Sequence, residues 1–306
     1  MHTNENPALA GRMPAFRPAL VTDGSADASA DKRADSNAIP FSTTQFEQVC
    51  KLIYRRAGIH LAPGKHNMVY NRLTRRVRAC GMATFSDYLA QLDNPQSNEW
   101  EQFTNALTTN LTSFFREAHH FPLLAAHLQK IDPARGINLW CTAASTGEEP
   151  YTIAITACEA LGHSASKVRI IASDIDTSVL ETAAAGAYEE CAVEKMAPAL
   201  VRKYFLRGAG ARAGLVKVRP EVRGMISFCQ VNLLSPGWPK FGPFDVVFCR
   251  NVMIYFDKPT QARILERFAP LMRAGSLLFA GHSEHIPPGA SHFSLRGKTV
   301  YTRTSK

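Results

Sequence analysis

Nowhere in the 306 residues is there an apolar run of the ~18 positions that a membrane-crossing helix needs, so no integral membrane segment is expected. Residues 1–30 lack the apolar core of a secretory signal. The seven cysteines (Cys50, Cys80, Cys141, Cys158, Cys191, Cys229 and Cys249) are odd in number and include no C-x-x-C pair, which argues against a disulfide framework or a structural zinc. Cys249 closes the apolar run Val246-Val247-Phe248, the setting of a reduced, buried thiol in a cytoplasmic protein. A G-x-G-x-x-G loop is also missing, and with it the usual cradle for a pyrophosphate. Acidic residues are absent from residues 48–86.

That same segment holds eight basic residues: Lys51, Arg55, Arg56, Lys65, Arg72, Arg75, Arg76 and Arg78. Residues 1–47 carry a net charge of −2 and the chain from Asp87 onward +3, so most of the formal +9 arises in one short stretch. A single-sign cluster of this kind attracts a polyanion or an acidic protein surface. Hydrophobic residues at 45% and charged residues at 20% are otherwise ordinary for a globular protein, and the length implies about two domains.

Residues 1–41 are rich in Ala, Asp, Ser and Pro without an apolar period, and are expected to form a disordered tail. Order is expected from Ser42. Thr44 with Glu47 reads as a capping box ahead of Phe46, Val49, Ile53 and Ala57 at helical spacing, with Gly58 as the stop. A second helix after Pro63-Gly64 would bury Val69, Leu73 and Val77 and place Arg72 and Arg76 on another face, with Arg75 beside them. With further helices around 85–92 and 98–107, residues 42–115 read as a basic, all-helical domain.

Beyond Pro133 the texture changes, and residues 116–306 read as α/β. Strands are expected at 137–141, 168–172, 226–231, 245–249 and 276–280, with helices from Pro150, over 177–185 and over 260–273. Alternation of this kind implies a Rossmann-like, doubly wound parallel sheet with ligands outside the carboxyl ends of its strands. After the first strand come Ala143-Ala144-Ser145-Thr146-Gly147-Glu148-Glu149-Pro150. The small residues permit close approach of a ligand, while two carboxylates at a helix start would repel a pyrophosphate and favour a cation. S-adenosylmethionine, with a positive centre and no phosphate, fits better than NAD or FAD. Simple complementation of the helix dipole by Glu148 and Glu149 is the competing explanation. Asp174, ending the second strand, is placed to accept from both hydroxyls of a ribose, whereas Asp176 is the better helix cap. Asn232 could hold an adenine edge, and Arg250-Asn251 stand where cofactor and substrate would meet.

These residues fall within motifs that resemble the chemotaxis receptor methyltransferases (CheR-type), which methylate glutamates of bacterial chemoreceptors. The motifs are 109–117 (TNLTSFFRE), 144–151 (ASTGEEPY), 173–176 (SDID), 231–234 (VNLL) and 248–256 (FCRNVMIYF), and the resemblance covers about 42–303. It implies cofactor contacts from Asn110, Thr112, Arg116, Glu149, Asp174, Asn232, Leu233, Arg250 and Asn251, with S-adenosylhomocysteine as product. It also implies a cytoplasmic enzyme recruited to membrane receptor arrays, and a monomer is expected.

Methyl transfer to a glutamate needs no general base, because a carboxyl of pKa ≈ 4.3 is already ionised at neutral pH. Arg116 and Tyr255 are the candidates for orienting the two reactants, the planar guanidinium holding a carboxylate in a fixed plane. His119-His120 and His282 have no third ligand at helical or loop spacing, so no metal is expected. A nucleic-acid methyltransferase is the main rival on charge, but residues 48–86 contain no aromatic cluster and the chain has no Asn-Pro-Pro-Tyr site. A non-catalytic docking module is the other rival, and the ligand-type residues just named argue against it. By the resemblance, the receptor helices are acidic, which makes Arg72, Arg75 and Arg76 candidates for docking them. The stretch 207–218, with Gly208, Gly210 and Gly214 ahead of Leu215-Val216, reads as a turn entering a strand. In the family this position, at about 204–225, carries an inserted antiparallel β-subdomain that in some members binds the receptor's C-terminal peptide.

Overall fold

A computed structural model describes residues 38–238, 242–286 and 292–305, so all but the end of the expected tail lies outside the described residues. Helix α1 (Thr43–Ala57) is capped by Ser42 rather than Thr44. The Ser42 hydroxyl accepts from the Gln45 N–H at 3.2 Å, and Gln45 Oε1 accepts from the Ser42 N–H at 2.8 Å. Ser42-x-x-Gln45 is the earlier of two overlapping box patterns, and starting there adds two helical residues under the same reciprocal bonds. Gly58 ends the helix at φ +69°, and a Cβ at that position would lie 2.5 Å from Leu234. Glycine therefore both stops α1 and lets it press against the loop at 232–234.

Helix α2 (His66–Ala79) buries Val69, Leu73 and Val77 completely against α1, α3 (Phe85–Gln91) and α4 (Glu99–Leu107). Two of its arginines are used internally. Arg76 donates from Nε and Nη2 to the two oxygens of the buried Glu99, both at 2.8 Å, and the Tyr88 hydroxyl donates to the same carboxylate at 2.8 Å. Removing Arg76 would leave the buried Glu99 carboxylate without its compensating charge, which destabilises the domain. Arg72 donates to the carbonyls of Ala106 and Thr108, which fixes the chain as it leaves α4. Arg75 is exposed.

The remaining elements in chain order are α5 (His120–Leu128), β1 (Ile137–Cys141), α6 (Glu148–Leu161), β2 (Val168–Asp174), α7 (Thr177–Ala185) and β3 (Ala187–Glu189). They continue with α8 (Pro198–Tyr204), β4 (Phe205–Arg207), β5 (Leu215–Val218), α9 (Pro220–Arg223) and β6 (Ile226–Gln230). The chain closes with β7 (Phe244–Cys249), α10 (Lys258–Phe268), β8 (Met272–Ala280), β9 (Phe293–Gly297) and β10 (Val300–Arg303). Seven strands form one sheet in the order β6-β2-β1-β7-β8-β10-β9. The first five are mutually parallel, with Leu139 opposite Val246 and Cys141 opposite both Ala172 and Phe248. One face packs on α5 and α6, the other on α10 through Ile264, Leu265 and Phe268. Strand order reverses between β1 and β7, where such sheets open a crevice at their carboxyl ends.

The expected sheet was parallel throughout, but β10 pairs antiparallel with both β8 and β9. The β9–β10 hairpin turns at Lys298 and Thr299, with φ of +50° and +59°. Turns of that hand normally carry Asn-Gly, so a Lys-Thr turn leaves no signal in the sequence. A second, three-stranded antiparallel sheet has the order β3-β5-β4. It takes β3 from residues 187–189, upstream of the 204–225 span, and β5 is its central strand. Gly208 is forced there, because a Cβ would lie 1.9 Å from the Arg212 carbonyl, while Gly210 adopts φ +58°.

Candidate functional site

At the carboxyl ends of β1, β2, β6 and β7 lies a cleft. Asn110, Thr112, Arg116, Glu149, Asp174, Asn232, Leu233, Arg250, Asn251 and Tyr255 all line it. Arg72, Arg75, Arg76, Gly208 and Gly210 do not. The sequence reading missed Ala57 and Ile59, which bring the end of α1 into the wall, and Val252 and Phe256 beside Tyr255. The stop at Gly58 was the available signal for the first pair.

Arg250 sits at the centre with its side chain fully buried. Its Nη1 pairs with Glu149 Oε2 at 2.7 Å, its Nη2 donates to the Arg116 carbonyl at 2.6 Å, and Nη2 lies 3.3 Å from Glu117 Oε2. One guanidinium thus joins the end of β7 to the start of α6 and to the loop at 116–117. Burial pushes the Glu149 carboxyl upward against the pull of Arg250. Burial also pushes Glu117 upward, but Arg250, the His282 main chain and the Asn251 amide outweigh it and hold that carboxyl below its usual range. Arg116 stands between Phe115 and Glu117, both at φ +54°, and its Nη1 donates to the Leu111 carbonyl at 2.7 Å.

Asp174 ends β2 and is only 8% exposed. Its Oδ2 accepts from the Ser145 N–H at 2.9 Å and its Oδ1 from the Asp176 N–H at 3.0 Å. Burial pushes its carboxyl up to about 6, against those two main-chain donors. Asp176 is the cap of α7, accepting from the N–H groups of Ser178 and Val179. It also accepts from the Asn110 amide at 2.8 Å and the Thr108 hydroxyl at 2.6 Å. Asn110 therefore lines the cleft while its amide group is tied to the α7 cap. Asn232 is similarly engaged, donating to the Arg56 carbonyl at 2.7 Å and accepting from the Leu234 N–H at 2.9 Å. Tyr255 is half-buried, and its carbonyl accepts from the His60 N–H at 3.0 Å.

A ligand with hydroxyl donors suits the buried acceptor at Asp174. A ligand without a pyrophosphate suits a wall that has no glycine-rich phosphate loop. These features fit S-adenosylmethionine. Beside the cleft, Glu117 does supply the third ligand type that His119 and His120 lacked in sequence, the three groups lying within 4.8 Å of one another. The Glu117 carboxylate faces the fixed charge of Arg250 at 3.3 Å, which opposes a second cation there.

Comparison with known proteins identifies the family. Residues 44–108 match the family "CheR methyltransferase, all-alpha domain" and residues 110–302 match "CheR methyltransferase, SAM binding domain". The chain is 54% identical over 269 residues to the chemotaxis protein methyltransferase of Klebsiella aerogenes, covering 88% of this chain and 92% of that one. It is 52% identical to the Salmonella typhimurium protein of the same description (86% and 91% covered) and 50% identical to the Escherichia coli one (86% and 92%).

The raised Asp174 carboxyl has a consequence for binding. Ribose hydroxyls donating to it favour the ionised form, so affinity should be full above about pH 6 and fall as pH drops through that value and Asp174 takes up a proton. Calorimetric titration with S-adenosylhomocysteine is expected to show this fall in the wild type. Asp174→Ala should weaken binding at pH 8 by roughly 1.5–3 kcal/mol, the range for hydrogen bonds to a charged group, and abolish the pH step. An unchanged affinity in the variant would place the ribose elsewhere.

Proposed function

The chain belongs to the CheR methyltransferase family, and from that premise we propose that it methylates glutamate side chains of bacterial chemoreceptors, forming glutamate 5-O-methyl ester in sensory adaptation. The observation that carries this reading is the convergence of all ten cleft residues on one crevice at the β1/β7 reversal. S-adenosylmethionine, when bound, supplies an activated methyl group on a sulfonium. Asp174 would receive its ribose hydroxyls, and Asn232 with Leu233 would bound its base. Asn110, Thr112, Glu149, Arg250 and Asn251 would line the remainder.

The substrate carboxylate is already ionised at neutral pH, so no group in the cleft has to remove a proton. What the protein must do is hold the carboxylate in line and exclude water from it. Arg116 and Tyr255 are proposed to orient it. The Arg116 main chain is held for this purpose by Arg250, which donates to its carbonyl between two left-handed residues. Tritiated methyl groups should enter receptor-containing membranes and be released as methanol by base, the mark of a carboxyl ester. Arg116→Lys should lower kcat by about 100-fold, the effect of a misplaced reactant, because an ammonium lacks the planar fork. Base-stable label would contradict the ester.

Docking is proposed to rest on the basic helical domain and on the small sheet. Arg72 and Arg76 are committed to internal contacts, so the exposed Arg75, with Arg55 and Arg56 in the last turn of α1, is proposed to face an acidic receptor helix. With β5 central, the edges of β3 and β4 are the places where a receptor C-terminal peptide could add a strand. Arg75→Glu should raise KM for receptor roughly threefold to tenfold at low salt, with the difference shrinking in high salt. Deleting residues 208–210 should abolish binding of a tail peptide and spare S-adenosylhomocysteine. A salt-independent KM would remove the electrostatic part, and wild-type protein that ignores the peptide at about mM concentration would remove the tether.

A further inference from the structure

The buried carboxylate of Glu284 adjoins the cleft without lining it. Glu284 is 6% exposed and closes a turn just past β8, its N–H donating to the Gly281 carbonyl at 2.9 Å. Both of its oxygens accept from main-chain donors, one in its own turn and the others past the neighbouring strand end. Oε2 accepts from the N–H groups of Asn251 at 2.8 Å and Gly281 at 2.6 Å. Oε1 accepts from those of Met253 at 2.7 Å and Ile254 at 3.3 Å. Three of the four donors belong to the loop that carries Asn251 and Tyr255.

That loop needs an external hold. Asn251 is in the left-handed region at φ +57°, tolerable for asparagine but seldom adopted without support. The helical turn that follows, Met253–Tyr255, is only three residues long and cannot satisfy its own first N–H groups. Glu284 satisfies those of Met253 and Ile254, while His60 holds the Tyr255 carbonyl from the other side. The approach is close enough to demand glycine opposite. A Cβ at Gly281 would lie 2.7 Å from both Glu284 Oε2 and the Asn251 amide nitrogen, and 2.8 Å from the Asn251 main-chain nitrogen.

We propose that Glu284, with Gly281, is a positioning residue for methyl transfer: its carboxylate clamps the 251–255 loop and thereby sets where Asn251 and Tyr255 stand in the cleft. This rests on the roles proposed for those two residues. A carboxylate is required rather than an isosteric amide, because both oxygens face N–H donors and an –NH₂ group would oppose two of them.

Two variants break the clamp by different means. Glu284→Gln removes acceptors from one side, and Gly281→Ala inserts a methyl group between the turn and Asn251. In each, the stoichiometry of S-adenosylhomocysteine binding counts folded sites, and kcat is expressed per folded site. Both should bind one ligand per chain, lose about tenfold or more in kcat, and keep KM for receptor within about threefold. Amide hydrogen exchange across residues 251–255 should quicken in both without general loss of protection. A kcat per folded site within about threefold of wild type would overturn the proposal. So would a loss of activity that merely tracks loss of binding stoichiometry, or failure of both variants to bind, either of which makes Glu284 a folding residue. Should wild-type protein transfer no methyl group to receptors, the proposed function fails instead, and exchange across 251–255 alone decides the clamp.

Discussion

A guanidinium with its side chain wholly inside the protein must have partners, and the cleft is arranged around the partners Arg250 finds. Glu149 compensates its charge at 2.7 Å, the Arg116 carbonyl takes a second donor, and Glu117 lies within 3.3 Å. Because those groups come from α6 and the loop before α5, while Arg250 itself follows β7, one side chain ties three segments together. A lysine could not do this, since a point-like ammonium on a flexible stem cannot present a planar fork in two directions. The arrangement also keeps charge balanced. A cationic cofactor in the cleft would meet Glu149 already neutralised in part, with Asp174 as the other buried carboxylate of the lining.

Backbone conformation follows the same geography. Among the described residues, six non-glycine positions have positive φ, and four of them (Phe115, Glu117, Ser145 and Asn251) border the cleft or hold its loops. Each is pinned by a specific bond: the Ser145 N–H by Asp174, the Asn251 N–H by Glu284, the Phe115 N–H by the Thr152 hydroxyl. Glu117 is pinned through its side chain, by Arg250. Strain of this sort persists only where the surroundings over-determine it, and it accompanies sites whose side chains must be held still.

Much of this was legible in the chain before any coordinates. The parallel strands announced themselves as apolar runs, and the ligand-type residues at their ends were found because such sheets bind there. The helical domain was readable from the period of Val69, Leu73 and Val77. Four things were not. The cap of α1 lay in the earlier of two equivalent patterns, and local sequence does not rank them. The β9–β10 hairpin turns without the Asn-Gly that would mark it. The arginines of α2 look alike in sequence, yet Arg76 meets a buried Glu99 from a helix 23 residues away and Arg75 meets solvent. Glu284 escaped for a related reason, since a carboxylate that binds only main-chain N–H groups has no partner residue to predict it from.

The central claim is that Arg250 and Glu149 act on the cleft as one unit. A double-mutant cycle tests it most directly: the affinity for S-adenosylhomocysteine is measured calorimetrically in Arg250→Lys, Glu149→Gln and the double variant, at matched binding stoichiometry. Strong coupling is expected, with the double variant binding no worse than the poorer single one and an interaction energy of at least ~1 kcal/mol. Losses that add within about 0.5 kcal/mol would show two independent residues, and would contradict it.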